Sequence, residues 1–250
     1  MLKKRLIPTL LLKEGRCVKT VKFDSFRDTG NPVFAARVYN SQSADELIFL
    51  DITASEENRD ILFKIISEVT EECFMPLTVG GGIKSVEDIR KLLKIGADKT
   101  AINSGAVNNP QLITDGAKKF GSQCIVVGID VKKVNGNHKV FINGGTTETK
   151  LDPIEWAKKV EELGAGEILI QSIDRDGTMD GYDLKLIKDV CDAVNVPVIA
   201  LGGAGKLKDF LECIEISSAV SAASIFHFTD QSPIKAKVFM RDRKVNMRKI

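Results

Sequence analysis

Short apolar runs alternate with amphipathic stretches along the whole chain. The runs predict strands at Arg5 to Leu11, Leu47 to Asp51, Leu77 to Val79, Lys99 to Ile102, Cys124 to Asp130, Glu167 to Gln171, Pro197 to Leu201 and Ala219 to Ala222. Most are continuously apolar rather than alternating, as expected of strands covered on both faces in a parallel sheet. Between them lie helical patterns such as SVEDIRKLLKIGA and DPIEWAKKVEELGA. In these, Ser85 and Asp152 suit N-caps, and Gly96 and Gly164 suit the positions where helices stop. Eight strand-helix units in 250 residues predict an α/β fold, a (β/α)8 barrel forming one domain over residues 1–250. Two connections are longer than usual, residues 12–31 and 131–150; in the second, NGNHK and NGGTT predict a hairpin. Both follow strands, on the face where barrels keep their active sites.

The pattern also repeats. DELIFLDI and GEILIQSI align Glu46 with Glu167, an offset of 121 residues, and VGGGIK and LGGAGK align Gly81 with Gly202 at the same offset. Asn103 and Ser224, which end strands, share it too. This predicts two half-barrels, roughly 1–122 and 123–250, with two similar sites on opposite sides of one mouth.

Composition narrows the function classes. Lys plus Arg number 36 against 34 Asp plus Glu, and a net charge of +2 gives no field that would favour nucleic acid or a membrane surface. Cys17, Cys73, Cys124, Cys191 and Cys213 are scattered without ligand spacing, which suits reduced thiols in a cytoplasm. The opening MLKKRLIPTLLL is too short, holds Pro8 and lacks a small-residue cleavage site, so it reads as a first strand rather than a signal peptide. No apolar run approaches the ~18 residues of a membrane helix. A cytoplasmic protein is expected.

Glycines directly after a strand let backbone approach a ligand, and a following helix start supplies N–H groups for an anion. That describes a phosphate cradle made of Gly81, Gly82, Asn103 and Ser104, and a second made of Gly177, Gly203, Ala223 and Ser224. Two such cradles suit a small molecule with phosphates at both ends. Carboxylates lie on the same rim: Asp51, Asp130, Asp174 and Asp176. Asp130 ends an apolar strand, where desolvation raises a carboxylate towards use as an acid or base. Asp174 and Asp176, in SIDRDGT, suit loop bracing as well as catalysis. His138 and His227 have no companion at ligand spacing, so both read as structural or solvated, and neither a metal nor a cofactor is expected. At the other end of the strands, Arg5, Glu46, Lys99 and Glu167 stand where an apolar barrel floor would be. They suit either a neutral, mutually paired ring or independent salt bridges.

FLDITAS, TVGGGI, GADKTAIN, SIDRDGT, GGAGK and ASIFHF, in this order and spacing, resemble the cyclase subunit of imidazole glycerol phosphate synthase over nearly the whole chain. The resemblance implies a barrel that takes ammonia from a separate glutaminase subunit docked on the floor face. Such a barrel closes an imidazole ring on a bisphosphorylated ribonucleotide and releases a carboxamide nucleotide. It implies phosphate contacts at the two cradles, a catalytic Asp130 with Asp176 as a further candidate, ligand-loop roles for Lys19 and Asp51, and an ammonia gate of Arg5, Glu46, Lys99 and Glu167. The chain has no Cys, His and acid in the context of a glutaminase triad, so the ammonia source is a partner.

The chain departs from the family at Leu11, where an aspartate partnering Asp130 is expected, and at Gln171 and Leu201, where small hydroxyl residues are expected. General acid–base catalysis by one group is worth about 10² to 10⁴ in rate. Leu11 therefore points to divergent paralogues that conduct ammonia to a third protein, which amidates a sugar precursor of surface polysaccharide. The alternatives are an authentic cyclase, in which Asp130 is helped by Asp176 or a water, and a non-catalytic scaffold that activates the glutaminase.

Overall fold

The computed structural model describes residues 3–53 and 59–248. Ala54 and Ser55, the last two residues of FLDITAS, lie outside the described residues. Its strands are β1 (Arg5–Lys13), β2 (Arg16–Val21), β3 (Asp24–Gly30), β4 (Leu47–Asp51), β5 (Leu77–Gly80), β6 (Lys99–Ile102), β7 (Ile125–Val134), β8 (Asn137–Ile142), β9 (Thr147–Glu148), β10 (Glu167–Ser172), β11 (Val198–Leu201) and β12 (Ala219–Ala222). The helices are α1 (Pro32–Ser41), α2 (Arg59–Glu72), α3 (Val86–Lys94), α4 (Ser104–Asn108), α5 (Gln111–Phe120), α6 (Pro153–Glu162), α7 (Leu184–Ala193), α8 (Leu207–Ile216), α9 (Ser224–Phe228) and α10 (Pro233–Asp242).

Strands β1, β4, β5, β6, β7, β10, β11 and β12 pair in parallel in that order, and β12 returns to β1, closing a (β/α)8 barrel. Strands β1 and β7 stand four places apart in either direction, so they face each other across it.

Alternation along each strand explains why the runs are apolar on both faces. In β1, Leu6 and Leu10 pack outward against the helices, while Ile7 joins Ile48, Val126, Leu169 and Ile199 inside. Local signals set the helix ends. Ser85 and Asp88 form a reciprocal capping box on α3, and Asp152 accepts from the Ile154 and Glu155 N–H groups of α6. Gly96 and Gly164 follow α3 and α6 with φ of +111° and +98°, which favours glycine.

The main differences lie in the long connections. Strand β1 runs past Leu11 to Lys13, and what reads as loop is largely an antiparallel hairpin of β2 and β3. The expected second hairpin is present, with β7 extending past Asp130 to Val134 and pairing with β8. Cys124 belongs to a tight turn before β7, and β11 begins at Val198, leaving Pro197 outside. Among the described residues no helix is long and apolar enough to cross a membrane. The five cysteines are free thiols.

Candidate functional site

The four charged residues at the strand starts come together on the barrel floor. Arg5 Nη1 donates to Glu46 Oε1 at 2.8 Å and to Glu167 Oε1 at 2.9 Å. Lys99 Nζ donates to Glu46 Oε2 at 2.9 Å and to Glu167 Oε1 at 3.1 Å. This is one joined ring rather than separate surface pairs. Burial opposes the charge on Arg5, but Glu167 and Glu46 outweigh it and raise its pKa. Burial likewise pushes Glu46 upward, but Arg5 and Lys99 prevail and hold its pKa low.

Sequence reasoning missed the brace beside this ring. Asp45 accepts from the Leu6 N–H at 2.8 Å and from Lys237 Nζ at 2.7 Å, so a buried ion pair fixes the chain next to both Arg5 and Glu46. Its signal is a lysine on the apolar face of α10, among Pro233, Ala236 and Met240. Above the ring the barrel interior is mainly apolar, with Ile7, Ile48, Val126, Leu169 and Ile199, and also holds the hydrogen-bonded hydroxyls of Thr9 and Ser221, 2.6 Å apart.

At the mouth, Asp130 lies on the inner face of β7, two residues beyond Gly128. The missing side chain at Gly128 leaves room for Asn103, whose Cβ and amide lie 3.5 Å from where a Gly128 Cβ would stand. Burial, opposed by the neighbouring Asn103 amide and aided by the charge of Asp176, raises the Asp130 pKa to about 7. Asp130 keeps some exposure at the mouth. Such a group exchanges protons near neutral pH. On the opposite strand, Leu11 shares the inner-face periodicity of Ile7 and is 6% exposed. It lies in register with Leu50. Asp130 therefore faces an aliphatic side chain across the barrel.

Asp176 is braced in this structure. It accepts from Lys19 Nζ at 2.8 Å and Thr20 Oγ1 at 2.8 Å, and its carbonyl accepts from the Lys22 N–H at 2.8 Å. Lys19 and Asp176 are both buried, and their bridge ties the β2–β3 hairpin to the mouth. Asp174 accepts from the Lys133 N–H at 2.8 Å, and Asp51 accepts from the Thr53 N–H at 2.9 Å.

The glycines of both expected cradles sit in close-packed turns. A Cβ on Gly81, at φ +123°, would stand 2.5 Å from the Asp51 carbonyl, and Gly82 follows at φ +58°. Next to them Asn103 and Ser104 follow β6, with Ser104 Oγ accepting from the Asn143 N–H at 2.9 Å. On the other side, a Cβ on Gly177 would collide with the Thr20 carbonyl, and one on Gly203 with the Gly181 carbonyl. The lining of a pocket there includes Lys19, Asp176, Gly177, Gly203, Ala223 and Ser224. Ser224 Oγ is buried with no hydrogen-bond partner among the described residues. The unpaired hydroxyl and glycine backbone suit an anion, beside a lysine ammonium that is already paired with Asp176.

The histidines stand outside these groups. His138 pairs with Asp183 at 3.1 Å. His227 packs against Tyr39 and Phe228, and burial, aided by Lys19, lowers its pKa to about 4.

The model of the histidine biosynthesis protein family matches residues 5–232. Imidazole glycerol phosphate synthase subunit HisF from Hydrogenobaculum sp. (strain Y04AAS1) is 53% identical over 251 residues, covering 99% of this chain and 100% of the relative. Imidazole glycerol phosphate synthase subunit HisF from Alkaliphilus metalliredigens (strain QYMF) is 50% identical over 252 residues, covering 100% of both chains.

Proposed function

The chain belongs to the histidine biosynthesis protein family, and on that premise we propose that it is a HisF-type barrel subunit performing ammonia-dependent ring closure with Asp130 as its only proton-transfer carboxylate. The observation that carries this reading is a desolvated carboxylate, with pKa near 7, set between two glycine cradles on one barrel mouth. The cradles hold the phosphates at the two ends of a bisphosphorylated ribonucleotide, and Lys19 and Asp51 belong to the ligand loops. The half-barrel repeat, with boundaries near 122 and 123, accounts for two cradles in one domain.

Ammonia comes from a glutaminase partner in the cytoplasm. It passes the ring of Arg5, Glu46, Lys99 and Glu167 and then the apolar interior, where the neutral molecule loses little solvation compared with an ion. The partner docks on the floor face. Phe74, in the connection from α2 to β5 on that face, is 89% exposed, as suits the centre of a protein interface.

Leu11 favours a second reading, in which the same barrel conducts ammonia to a third protein that amidates a sugar precursor of surface polysaccharide. The two HisF relatives support ring closure more than this alternative. Complementation of a cyclase-deficient histidine auxotroph separates them. Growth that is lost on Asp130→Asn supports ring closure. No growth, from a chain that still stimulates the glutaminase, supports the conduit. A scaffold with neither activity would stimulate the glutaminase equally after the floor ring is blocked.

A further inference from the structure

Strand β10 carries Glu167, Leu169 and Gln171 on its inner face, from the floor ring through the apolar interior to the mouth. Gln171 is in register with Asp130 on one side and with Leu201 on the other. It is only 4% exposed; no described group pairs with its side-chain amide, and the amide atoms are not among the fully buried unpaired ones. The amide therefore meets the open mouth, where its donor and acceptor are accessible to a ligand.

The surroundings give that amide a context. Asn103, directly after β6, and Asp130 and Gln171, on the adjacent strands β7 and β10, form a polar arc. Leu201, Leu11 and Leu50, on β11, β1 and β4, form an apolar arc opposite. The mouth is therefore two-sided. Neighbouring strands lie about 4.8 Å apart, so Asp130 and Gln171 present acceptor and donor groups at a spacing that one planar ring with two nitrogens can bridge.

We infer that Gln171 is a specificity-determining residue: with Asp130 it hydrogen-bonds the nitrogen edge of a planar heterocycle in the phosphorylated ligand, whose ring face lies against Leu11, Leu50 and Leu201. This rests on the proposed ligand site at the mouth and assigns the reading of the ring, as distinct from the phosphate, to particular side chains. Three leucines and one amide would favour a nitrogen ring over a polyol such as an unmodified sugar, which has no apolar face wide enough to cover them.

Calorimetric titration with two probes tests this. Imidazole glycerol phosphate carries the ring and one phosphate; glycerol phosphate carries the phosphate without the ring. The wild-type chain should bind the ring-bearing probe more tightly. Gln171→Leu should weaken it about tenfold, while changing glycerol phosphate affinity less than about twofold. Gln171→Asn, which shortens but keeps the amide, should fall between. The inference is overturned if Gln171→Leu leaves the ring-bearing probe unchanged, or weakens both probes equally through a general change in the mouth. If the wild-type chain binds glycerol phosphate but does not prefer the ring, the inference alone fails. Failure to bind either probe overturns the inference together with the proposed site.

Discussion

Replacing Leu11 by aspartate tests the consequence of the aliphatic side chain facing Asp130. Leu11 is 6% exposed, so its loss removes about 2 kcal/mol of apolar burial. The new carboxylate, beside Leu50 and across from Asp130, is poorly solvated, which adds about 1–3 kcal/mol of destabilisation. For a chain of this size the melting temperature should fall by roughly 10 °C, leaving a folded enzyme to assay. In exchange the mouth gains a second proton-transfer group. Two carboxylates facing each other push their pKa values apart, so one remains a proton donor while the other is a base. The rate of ring closure should rise by about 10² to 10⁴, equivalent to ~3–5 kcal/mol of barrier. The assay uses the bisphosphorylated ribonucleotide with an ammonium salt as nitrogen source, so that no partner is needed. Leu11→Asn is the control, polar and of similar size but unable to transfer the proton. Equal rates for the two variants would refute the reasoning.

Three further outcomes follow from the same geometry. The raised pKa of Asp130 means the folded chain holds this proton more tightly than the unfolded chain, so stability falls as pH rises from about 4 to 7 and is level above. Asp130→Asn should therefore gain about 2–3 kcal/mol relative to wild type between pH 5 and pH 8, and urea unfolding at both pH values would expose an unchanging difference. Glu46→Gln leaves the cations of the floor ring short of one charge partner and should lower stability by about 3 kcal/mol. With the partner glutaminase, it should also reduce glutamine-driven turnover more than ammonium-driven turnover; equal loss in both would count against a gate. Gly177→Ala places a methyl against the Thr20 carbonyl at φ +72° and should displace the hairpin, speeding limited proteolysis within residues 14–30. An unchanged cleavage rate would mean the contact is not holding it.

The barrel was legible because its strands are buried on both faces, which writes continuous apolar runs such as IVVGI into the sequence. The floor charges were legible for the opposite reason, since a charge such as Glu46 or Lys99 interrupts that pattern at a strand start, but their joining into one ring was not. The β2–β3 hairpin was not legible. Its buried positions include Lys19 and Thr20, whose partner Asp176 is 157 and 156 residues away, while β3 is almost wholly exposed. No local periodicity records a strand buried by a distant carboxylate. The same holds for Lys237, buried by Asp45 from the other end of the chain. Gln171 was visible only as a departure from the family. Its meaning depends on being in register with Asp130 and on lacking a partner, and neither is written in the spacing of β10.

The central claim, that Asp130 alone carries proton transfer in this mouth, is tested most directly by the pH profile of ammonium-dependent imidazole glycerol phosphate formation by the isolated chain. The account predicts slow but measurable product, with a single ionisation near pH 7 and complete loss in Asp130→Asn. Product formation that survives Asp130→Asn, or its absence from a wild-type chain shown to bind the ribonucleotide, would contradict it.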